Sequence, residues 1–190
     1  YGSGVSIAAG PTFADAKIPA VGCSCTNPQV TSGCEYYYRV CFLDPFQGSV
    51  MAQYAWDEGY KNVAVIDQLG DDYSTGLANF FIKQFKELGG TITTEQQFQT
   101  NQSDFKAVLT EVKAAGADAI FAPSSITTAP LIIKQARELG IEVPFMAGDT
   151  WYNQTIIDNA GAEYTEGTVV SPFFDENDDS NPVATDFVKG

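Results

Sequence analysis

Short apolar segments alternate along this chain with longer segments whose apolar residues recur at helical spacing. The clearest apolar segments cover 63–66, 118–122 and 144–147, and the clearest helical patterns cover 74–88 and 127–139. A continuously apolar strand is typical of a sheet that is covered on both faces. Strands of this length that alternate with helices of ten to fifteen residues favour a parallel sheet. The chain is therefore predicted to be an α/β protein with a doubly wound parallel sheet.

The remaining elements follow the same pattern. Asp44 is a candidate helix cap, with Pro45 in the first turn. The acidic segment 175–182 is predicted to be a solvated connector, because it lacks the glycine and the final glutamate of a calcium loop. Further helices are predicted over 6–14, 44–59, 103–116 and from 183, and further strands over 18–21, 36–40, 91–98 and 168–171.

Charge and composition exclude several classes of function. The net charge of −14 disfavours nucleic acid as a partner, because phosphate binding needs a cationic surface. The chain contains no histidine, which excludes Ser-His, Cys-His and His-metal chemistry. No apolar run is long enough to span a membrane. The chain begins without methionine, so we expect processing or truncation.

The four cysteines lie close together in the sequence, at positions 23, 25, 34 and 41. Their spacing fits neither a zinc knuckle nor a redox C-x-x-C pair. Free thiols and a Cys25–Cys34 disulfide both remain open, so the cysteines do not fix the compartment.

Candidate binding residues lie in the loops that follow the predicted strands, where parallel sheets bind their ligands. These loops cover 22–28, 67–74, 123–128 and 148–152, and they hold hydroxyls, aromatic rings and the carboxylate of Asp149. This combination suits a small polar ligand that carries a cation. Asp149 also fits a helix cap. No phosphate-binding loop or nucleophile motif is present, so an enzyme is not predicted.

Two further features of these loops and of the N-terminus have alternative interpretations. Tyr73 could pack in the core or contact a ligand. Asp71 and Asp72 are typical of the solvated start of a helix. The Gly-Ser-Gly sequence at 2–4 precedes a helix, where free N–H groups can bind an anion or merely need a cap.

Several motifs, in this order along the chain, closely resemble the branched-chain amino-acid-binding proteins of ABC importers, which are type I periplasmic binding proteins. They are Ser24-x-Thr26-Asn27-Pro28, Tyr36-x-Tyr38-Arg39-Val40, Asp44-Pro45-Phe46-Gln47-Gly48, Asp71-Asp72-Tyr73-Ser74-x-Gly76-Leu77-Ala78, Asp104-Phe105, the segment 133–140 and Gly148-Asp149-x-Trp151.

The resemblance implies a receptor of two lobes that traps an amino acid and delivers it to membrane permease subunits. It implies an extracytoplasmic location, in the periplasm or lipid-anchored at the cell surface, and it implies no cofactor and no metal. Residues 1–44 would form part of lobe 1, residues 45–172 most of lobe 2, and residues 173–190 the crossover that returns to lobe 1.

The resemblance also assigns roles to residues of the candidate loops. Ser3 and Thr26 resemble the residues that hold the ligand α-carboxylate, and Ser24 resembles the residue whose main-chain carbonyl receives the α-ammonium. Asp149 is similar to the acid that pairs with the ammonium, and Tyr73 to the aromatic residue that closes over the ligand. Such charge-assisted hydrogen bonds are the strong ones.

The side-chain pocket departs from the family pattern. Ser125 aligns with a position that is commonly tyrosine, and Cys25 with a position that is commonly a small residue. An amino acid that is larger or more polar than leucine or valine is therefore an equally good candidate for the ligand. Trp151, beside Asp149, is the remaining candidate contact.

Two other functions compete with the transport receptor. One is a sensory ligand-binding domain of the same fold, which the flanking sequence would reveal, and the other is a doubly wound enzyme. Family members are about twice as long as this chain, so the lobe 1 pieces would leave apolar surface uncovered. We therefore expect either self-association or a sequence given only in part.

Overall fold

A computed structural model describes residues 2–175 and 180–189. The expected acidic connector falls largely on 176–179, which lie outside the described residues. The strands are β1 (Ala20–Gly22), β2 (Tyr37–Arg39), β3 (Asn62–Gln68), β4 (Thr91–Phe98), β5 (Ala119–Phe121), β6 (Phe145–Ala147) and β7 (Val169–Val170). The helices are α1 (Ser3–Ala16), α2 (Asp44–Asp57), α3 (Asp72–Glu87), α4 (Lys106–Ala114), α5 (Ala129–Glu138), α6 (Gln154–Ala160), α7 (Ala162–Thr165) and α8 (Pro182–Lys189).

The strands form two separate parallel sheets. Strands β1 and β2 pair with each other, and the other five strands lie in the order β4-β3-β5-β6-β7. Every pair in the larger sheet is parallel, with Val63 opposite Ala119 and Ile120 opposite Phe145. The predicted α/β class with parallel strands is confirmed.

The central strands of the larger sheet are buried on both faces, because β5, β6 and the middle of β3 are mostly apolar. Val63 and Val65 of β3 pack with Phe81 on the side of α2 and α3. Ala64 and Ile66, which point the other way, pack on the side of α4 and α5. The period of two along a strand thus divides one apolar run between two cores. This double cover is what the continuous run at 63–66 predicted.

Helix α3 begins with a side-chain cap, whereas helix α2 does not. Asp71 is the N-cap of α3, and its Oδ1 accepts a hydrogen bond from the Ser74 N–H at 2.7 Å. The expectation that Asp44 caps α2 is wrong. Leu43 occupies that position without a side-chain hydrogen bond, and Asp44 lies fully buried in the first turn.

Part of the smaller sheet and α8 leave apolar side chains uncovered in the described structure. Helix α1 packs on β2 through an edge-to-face contact between Phe13 and Tyr37, with ring centroids 5.9 Å apart. Val21 and Val40 beside this sheet are nevertheless exposed. Helix α8 exposes most of its apolar side, including Val183, Phe187 and Val188.

Two segments flank the larger sheet where the chain enters it and leaves it. Residues 40–43 join β2 to α2, and residues 171–175 follow β7. The two segments meet through Phe42 and Phe173, whose ring centroids lie 4.5 Å apart.

All four cysteines are free thiols. Of the two alternatives left open by the sequence, the structure contains no Cys25–Cys34 disulfide. Within the described residues, no helix is both long enough and apolar enough to cross a membrane.

Candidate functional site

A cavity of about 340 Å³ lies between the N-terminus of α1, the loop after β1 and the loops that follow β3, β5 and β6. It brings together four of the candidates from the sequence, Ser3, Ser24, Tyr73 and Ser125. The wall is completed by Gly2, Gly4, Val5, Asp71, Ile126, Thr127 and Thr150. The position at the carboxyl ends of parallel strands is where such sheets bind ligands.

The N-terminus of α1 supplies hydrogen-bond donors to this cavity. Ser3 is the first residue of the helix, and its Oγ accepts the Asn27 N–H at 3.1 Å. The hydroxyl hydrogen of Ser3 is then left to donate elsewhere. The first N–H groups of a helix have no acceptor within the helix, and together with the helix dipole they favour an anion.

The loop after β1 carries buried hydroxyls that have no partner. Ser24 Oγ and Thr26 Oγ1 are both buried, and no described residue makes a hydrogen bond of good geometry with either. Buried polar groups are nearly always satisfied, so two orphans on one loop indicate a ligand or water partner. Ser24 lines the cavity, whereas Thr26 lies behind the wall.

Arg39 of β2 fixes the shape of this loop. Its guanidinium donates to the carbonyl oxygens of Cys25 and Asn27, both at 2.8 Å, and to that of Pro28 at 3.1 Å. It also donates to Thr31 Oγ1 at 2.6 Å. Because the guanidinium is a planar fork of five donors, one side chain satisfies several carbonyls of the turn at once.

Asp149 begins a short 3-10 turn directly after β6 and is buried beneath the cavity wall. Its Oδ1 accepts hydrogen bonds from Tyr73 Oη and from Gln47 Nε2, both at 3.0 Å. Among the described residues both side-chain donors bind Oδ1, and none binds Oδ2. Tyr73 and the neighbouring Thr150, whose oxygens lie 3.3 Å apart, separate this carboxylate from the cavity.

The electrostatics around Asp149 favour a positive ligand. Burial raises the pKa of Asp149 above its ordinary value, and burial together with the nearby Asp149 charge raises the pKa of Asp44 to about 7. The Thr26 hydroxyl lowers the pKa of Asp44, and the positive charge of Arg39 lowers it further. The Asp44 Oδ2 atom nevertheless makes no well-formed hydrogen bond. Neither acid has a cationic partner in salt-bridge contact within the described residues. A cationic group beside these acids would favour their charged forms and lower both pKa values.

Tyr73 is a permanent donor in this arrangement. Burial is the main cause that raises the pKa of its hydroxyl well above the usual value, and the Asp149 charge adds to it. The phenol therefore stays protonated and donates to Asp149 Oδ1 at any physiological pH.

Trp151 takes another place in the structure. Its ring packs near Phe145, with centroids 6.0 Å apart, and its Nε1 donates to Ser124 Oγ at 3.2 Å. It lines a separate groove beside α5 and α6. The structure therefore brings Trp151 into contact with the core rather than with the cavity.

Two contributors to the site were not candidates from the sequence. Thr150 lines the cavity and donates to the Ser124 carbonyl at 2.7 Å. Gln47 is buried and contacts Asp149 from α2. The signal for Thr150 was its place in the loop 148–152, and the signal for Gln47 was the Asp-Pro-Phe-Gln-Gly sequence at 44–48.

A parallel α/β fold with a small cavity at its strand ends has the architecture of a ligand-binding protein. The family model of the periplasmic binding proteins matches residues 1–190. The chain belongs to the periplasmic binding protein family.

Individual relatives agree with this family. The chain is 31% identical to a Leu/Ile/Val-binding protein homolog of Brucella suis, over all of this chain and 50% of that protein. It is 30% identical to an amino acid binding protein of Pseudomonas aeruginosa, over 89% of this chain and 46% of that protein. These relatives are binding proteins rather than enzymes.

Solved structures give the same result. The leucine binding protein LivK of Thermotoga maritima matches with a TM-score of 0.92 and 39% identity, over 97% of this chain and 52% of that chain. The branched-chain amino acid transporter substrate binding protein LivJ of Streptococcus pneumoniae, in complex with isoleucine, matches with a TM-score of 0.79 and 31% identity, over 86% of this chain and 46% of that chain. The chain thus spans about half the length of the relatives it matches.

Proposed function

We propose that the protein containing this chain captures an α-amino acid of the branched-chain type and delivers it to the permease subunits of an ABC importer. Relatives are named as Leu/Ile/Val-binding proteins, and one similar structure holds isoleucine. The place of action would be extracytoplasmic, either in the periplasm or at the cell surface through a lipid anchor.

The proposed receptor has two lobes. Residues 1–44 belong to lobe 1, residues 45–172 to most of lobe 2, and residues 173–190 to the crossover that returns to lobe 1. The separation of the strands into two sheets supports this division. The cavity is lined from both sides, by Ser3 and Ser24 on one and by Tyr73 and Ser125 on the other.

The ligand would bind by its charged ends. Its carboxylate would take the free N–H groups of α1 and the Ser3 hydroxyl, and its ammonium would take the Ser24 carbonyl. Thr26 and Asp149 do not line the cavity in this structure, so their proposed contacts with the carboxylate and the ammonium require the wall to move, including Tyr73 and Thr150 in the case of Asp149. Val5, Ile126 and the ring of Tyr73 offer apolar contact to a side chain, while Ser125 at the same cavity leaves room for a larger one. Each charged end meets groups of the opposite polarity.

The observation that carries this proposal is the buried Asp149 carboxylate, which has one oxygen without a donor and no described cationic partner. Isothermal titration of the natural full-length protein with the twenty amino acids tests it. We expect tight binding of at least one apolar amino acid, and Asp149→Asn should weaken it about 30-fold or more, because a buried charge pair is lost.

A matched control for that experiment is Asp158→Asn, because Asp158 is exposed on α6, away from the cavity. The control should leave the affinity unchanged. Equal affinities of wild type and Asp149→Asn would rule out the role given to Asp149, and binding of no amino acid by the wild type would rule out the proposed function.

We also propose that residues 1–190 on their own self-associate. The exposed apolar side chains of α8 and of the β1–β2 sheet support this, since contiguous exposed apolar surface favours association.

A further inference from the structure

The first turn of α2 holds two buried polar side chains that helix capping does not explain. Asp44 and Gln47 are almost completely buried, although Leu43 is the N-cap. Burying an amide and a carboxyl costs free energy unless their hydrogen bonds are made inside the protein. The hydrogen-bond partners of Asp44 and Gln47 therefore indicate what these two side chains do in the first turn of α2.

Gln47 uses its whole amide group, and most of its partners are far away in the sequence. Its Nε2 donates to Asp149 Oδ1 at 3.0 Å and makes a longer contact of 3.5 Å with Asp44 Oδ1. Its Oε1 accepts the Asp149 N–H at 2.8 Å and the Ser171 hydroxyl at 2.7 Å. A glutamine amide has two donor hydrogens and two acceptor lone pairs, so its capacity is filled.

The bonds to the Asp149 N–H and to Asp149 Oδ1 hold Asp149 by both its main chain and its side chain. The amide of Gln47 thereby sets where the 3-10 turn begins and which way the Asp149 carboxylate points. Gly148 leaves the space for this, because a Cβ there would lie 2.7 Å from Gln47 Oε1 and would also collide with Tyr73 Oη. Any residue larger than glycine at position 148 would therefore displace the Gln47 amide or the Tyr73 hydroxyl.

We propose that Gln47 is a positioning residue, which holds the Asp149 carboxylate toward the ligand ammonium and ties it, through Ser171, to the segment 171–175. The ammonium part of this inference rests on the proposed function, while the positioning of Asp149 does not. The charged and titratable groups around the amide are Asp44 from α2, Asp149, Tyr73 from α3 and Arg39 from β2. The Nε2 atom of Gln47 lies between the two acids, 3.0 Å from Asp149 Oδ1 and 3.5 Å from Asp44 Oδ1.

The test uses Gln47→Met, which keeps the length of the side chain and removes all four hydrogen bonds. Carboxyl NMR titration of the ligand-free protein reads the pKa of Asp149 directly. We expect Gln47→Met to raise that pKa, because the Gln47 hydrogen bond lowers it in the wild type. The matched control is Ser49→Ala, which removes a hydrogen bond to the Pro45 carbonyl on the same helix and none to Gln47 or Asp149, and it should leave the pKa unchanged.

Binding gives a second readout. Isothermal titration of the full-length protein with L-leucine and with 4-methylpentanoate, which lacks the ammonium, separates positioning from general damage. We expect Gln47→Met to weaken leucine about tenfold or more and to leave 4-methylpentanoate within about twofold, because only the ammonium needs Asp149.

An unchanged Asp149 pKa in a folded Gln47→Met protein would overturn the inference, as would an equal loss of affinity for both ligands. If Gln47→Met does not fold, Gln47→Leu replaces it, because leucine also removes the hydrogen bonds and adds no charge beside the two acids. Failure of the wild type to bind leucine would count against the proposed function alone, since the titration of Asp149 still decides whether Gln47 positions it.

Discussion

At the scale of single residues, the site depends on polar groups buried without their usual partners. Asp44 and Asp149 are carboxylates near each other in a region that water hardly reaches, and the buried Thr26 and Ser24 hydroxyls make no well-formed hydrogen bond with a described residue. An arrangement of this kind costs folding free energy, and a ligand or a proton repays part of it.

Replacement of Asp44 by Asn should change how stability depends on pH. The folded pKa of about 7 lies above the ordinary value of 3.8, so the folded protein holds this proton more tightly than the unfolded chain. Stability from this group is therefore fully present below about pH 4 and is lost as the pH rises through 7. We expect wild-type stability to fall by something of the order of 3 kcal/mol between pH 4 and pH 8, and Asp44→Asn to remove most of this fall.

Urea unfolding at a series of pH values measures this effect. The exposed Asp15 of α1 provides the control, and Asp15→Asn should keep the wild-type slope. The same slope in Asp44→Asn would show that Asp44 is not the group that titrates.

Replacement of Arg39 by Lys should loosen the loop that carries Ser24 and Thr26. Lysine keeps the charge, but its single ammonium cannot reach the three carbonyls and the Thr31 hydroxyl that Arg39 bonds. We expect a loss of about 1–3 kcal/mol in stability and faster amide hydrogen exchange over 22–31.

The chain offers a matched control for this change. Arg137 donates to the carbonyls of Ile141 and Val143 elsewhere in the fold. Arg137→Lys should speed exchange near 141–143 and leave 22–31 as in the wild type. Wild-type exchange over 22–31 in Arg39→Lys would contradict the role of Arg39.

At the scale of elements, the close crossing of α2 and α3 holds one face of the larger sheet. Gly48 of α2 lies against the backbone of α3, where a Cβ would come within 2.8 Å of Phe81 N and Phe80 Cβ. Behind this crossing, Phe81 stacks on Phe121 of β5 with ring centroids 4.0 Å apart. The helix pair therefore cannot separate without disturbing the core.

Gly48→Ala should destabilise the protein by about 1–3 kcal/mol, because the added methyl meets backbone atoms that cannot turn away. Thermal or urea unfolding measures the change. Gln53→Ala, at an exposed position of the same helix, should stay within about 0.5 kcal/mol of the wild type. A Gly48→Ala protein as stable as the wild type would show that the crossing tolerates a wider separation.

The sequence predicted long elements well and short ones poorly. Strand β4 was predicted over 91–98, as observed, and α3 was predicted to begin two residues later than it does. Nothing in the pattern predicted α6 or α7, because four to seven residues are too few for a helical period to emerge. Whether a segment is a helix or a strand could therefore be predicted wherever a buried face produced a long, regular spacing of apolar residues.

The site was predictable in part, for a similar reason. The strand ends marked Tyr73, Ser125 and Asp149 as candidates, because topology alone gathers those loops. The burial of Asp44 and the bonds of Gln47 were not predictable, since they depend on contacts more than a hundred residues away in the chain. Trp151 looked like a contact because it adjoins Asp149, but the tight turn sends its ring into the core.

At the scale of the whole molecule, the two sheets differ in how completely they are covered. The five-stranded sheet has helices on both faces, whereas the β1–β2 sheet and α8 keep large apolar side chains exposed. About 79% of Phe187 and 76% of Val183 are accessible, which is far from the burial such residues reach in a core.

Residues 1–190 alone should therefore associate in a concentration-dependent way, which analytical ultracentrifugation measures. The double variant Val183→Asp with Phe187→Asp should shift the chain toward monomer, because it removes apolar surface and adds charge. Lys189→Glu, which changes the net charge by the same amount and keeps the apolar side of α8, should associate like the wild type. A wild-type chain that stays monomeric at high concentration would contradict self-association.

The contact between Phe42 and Phe173 joins the segments 40–43 and 171–175, which adjoin the proposed lobe boundaries at 44/45 and 172/173. Because the two rings touch, neither segment can bend without displacing the other. In the proposed receptor the two crossings would therefore move together when one lobe approaches the other, and they would bring the binding groups back to the same relative position at each closure.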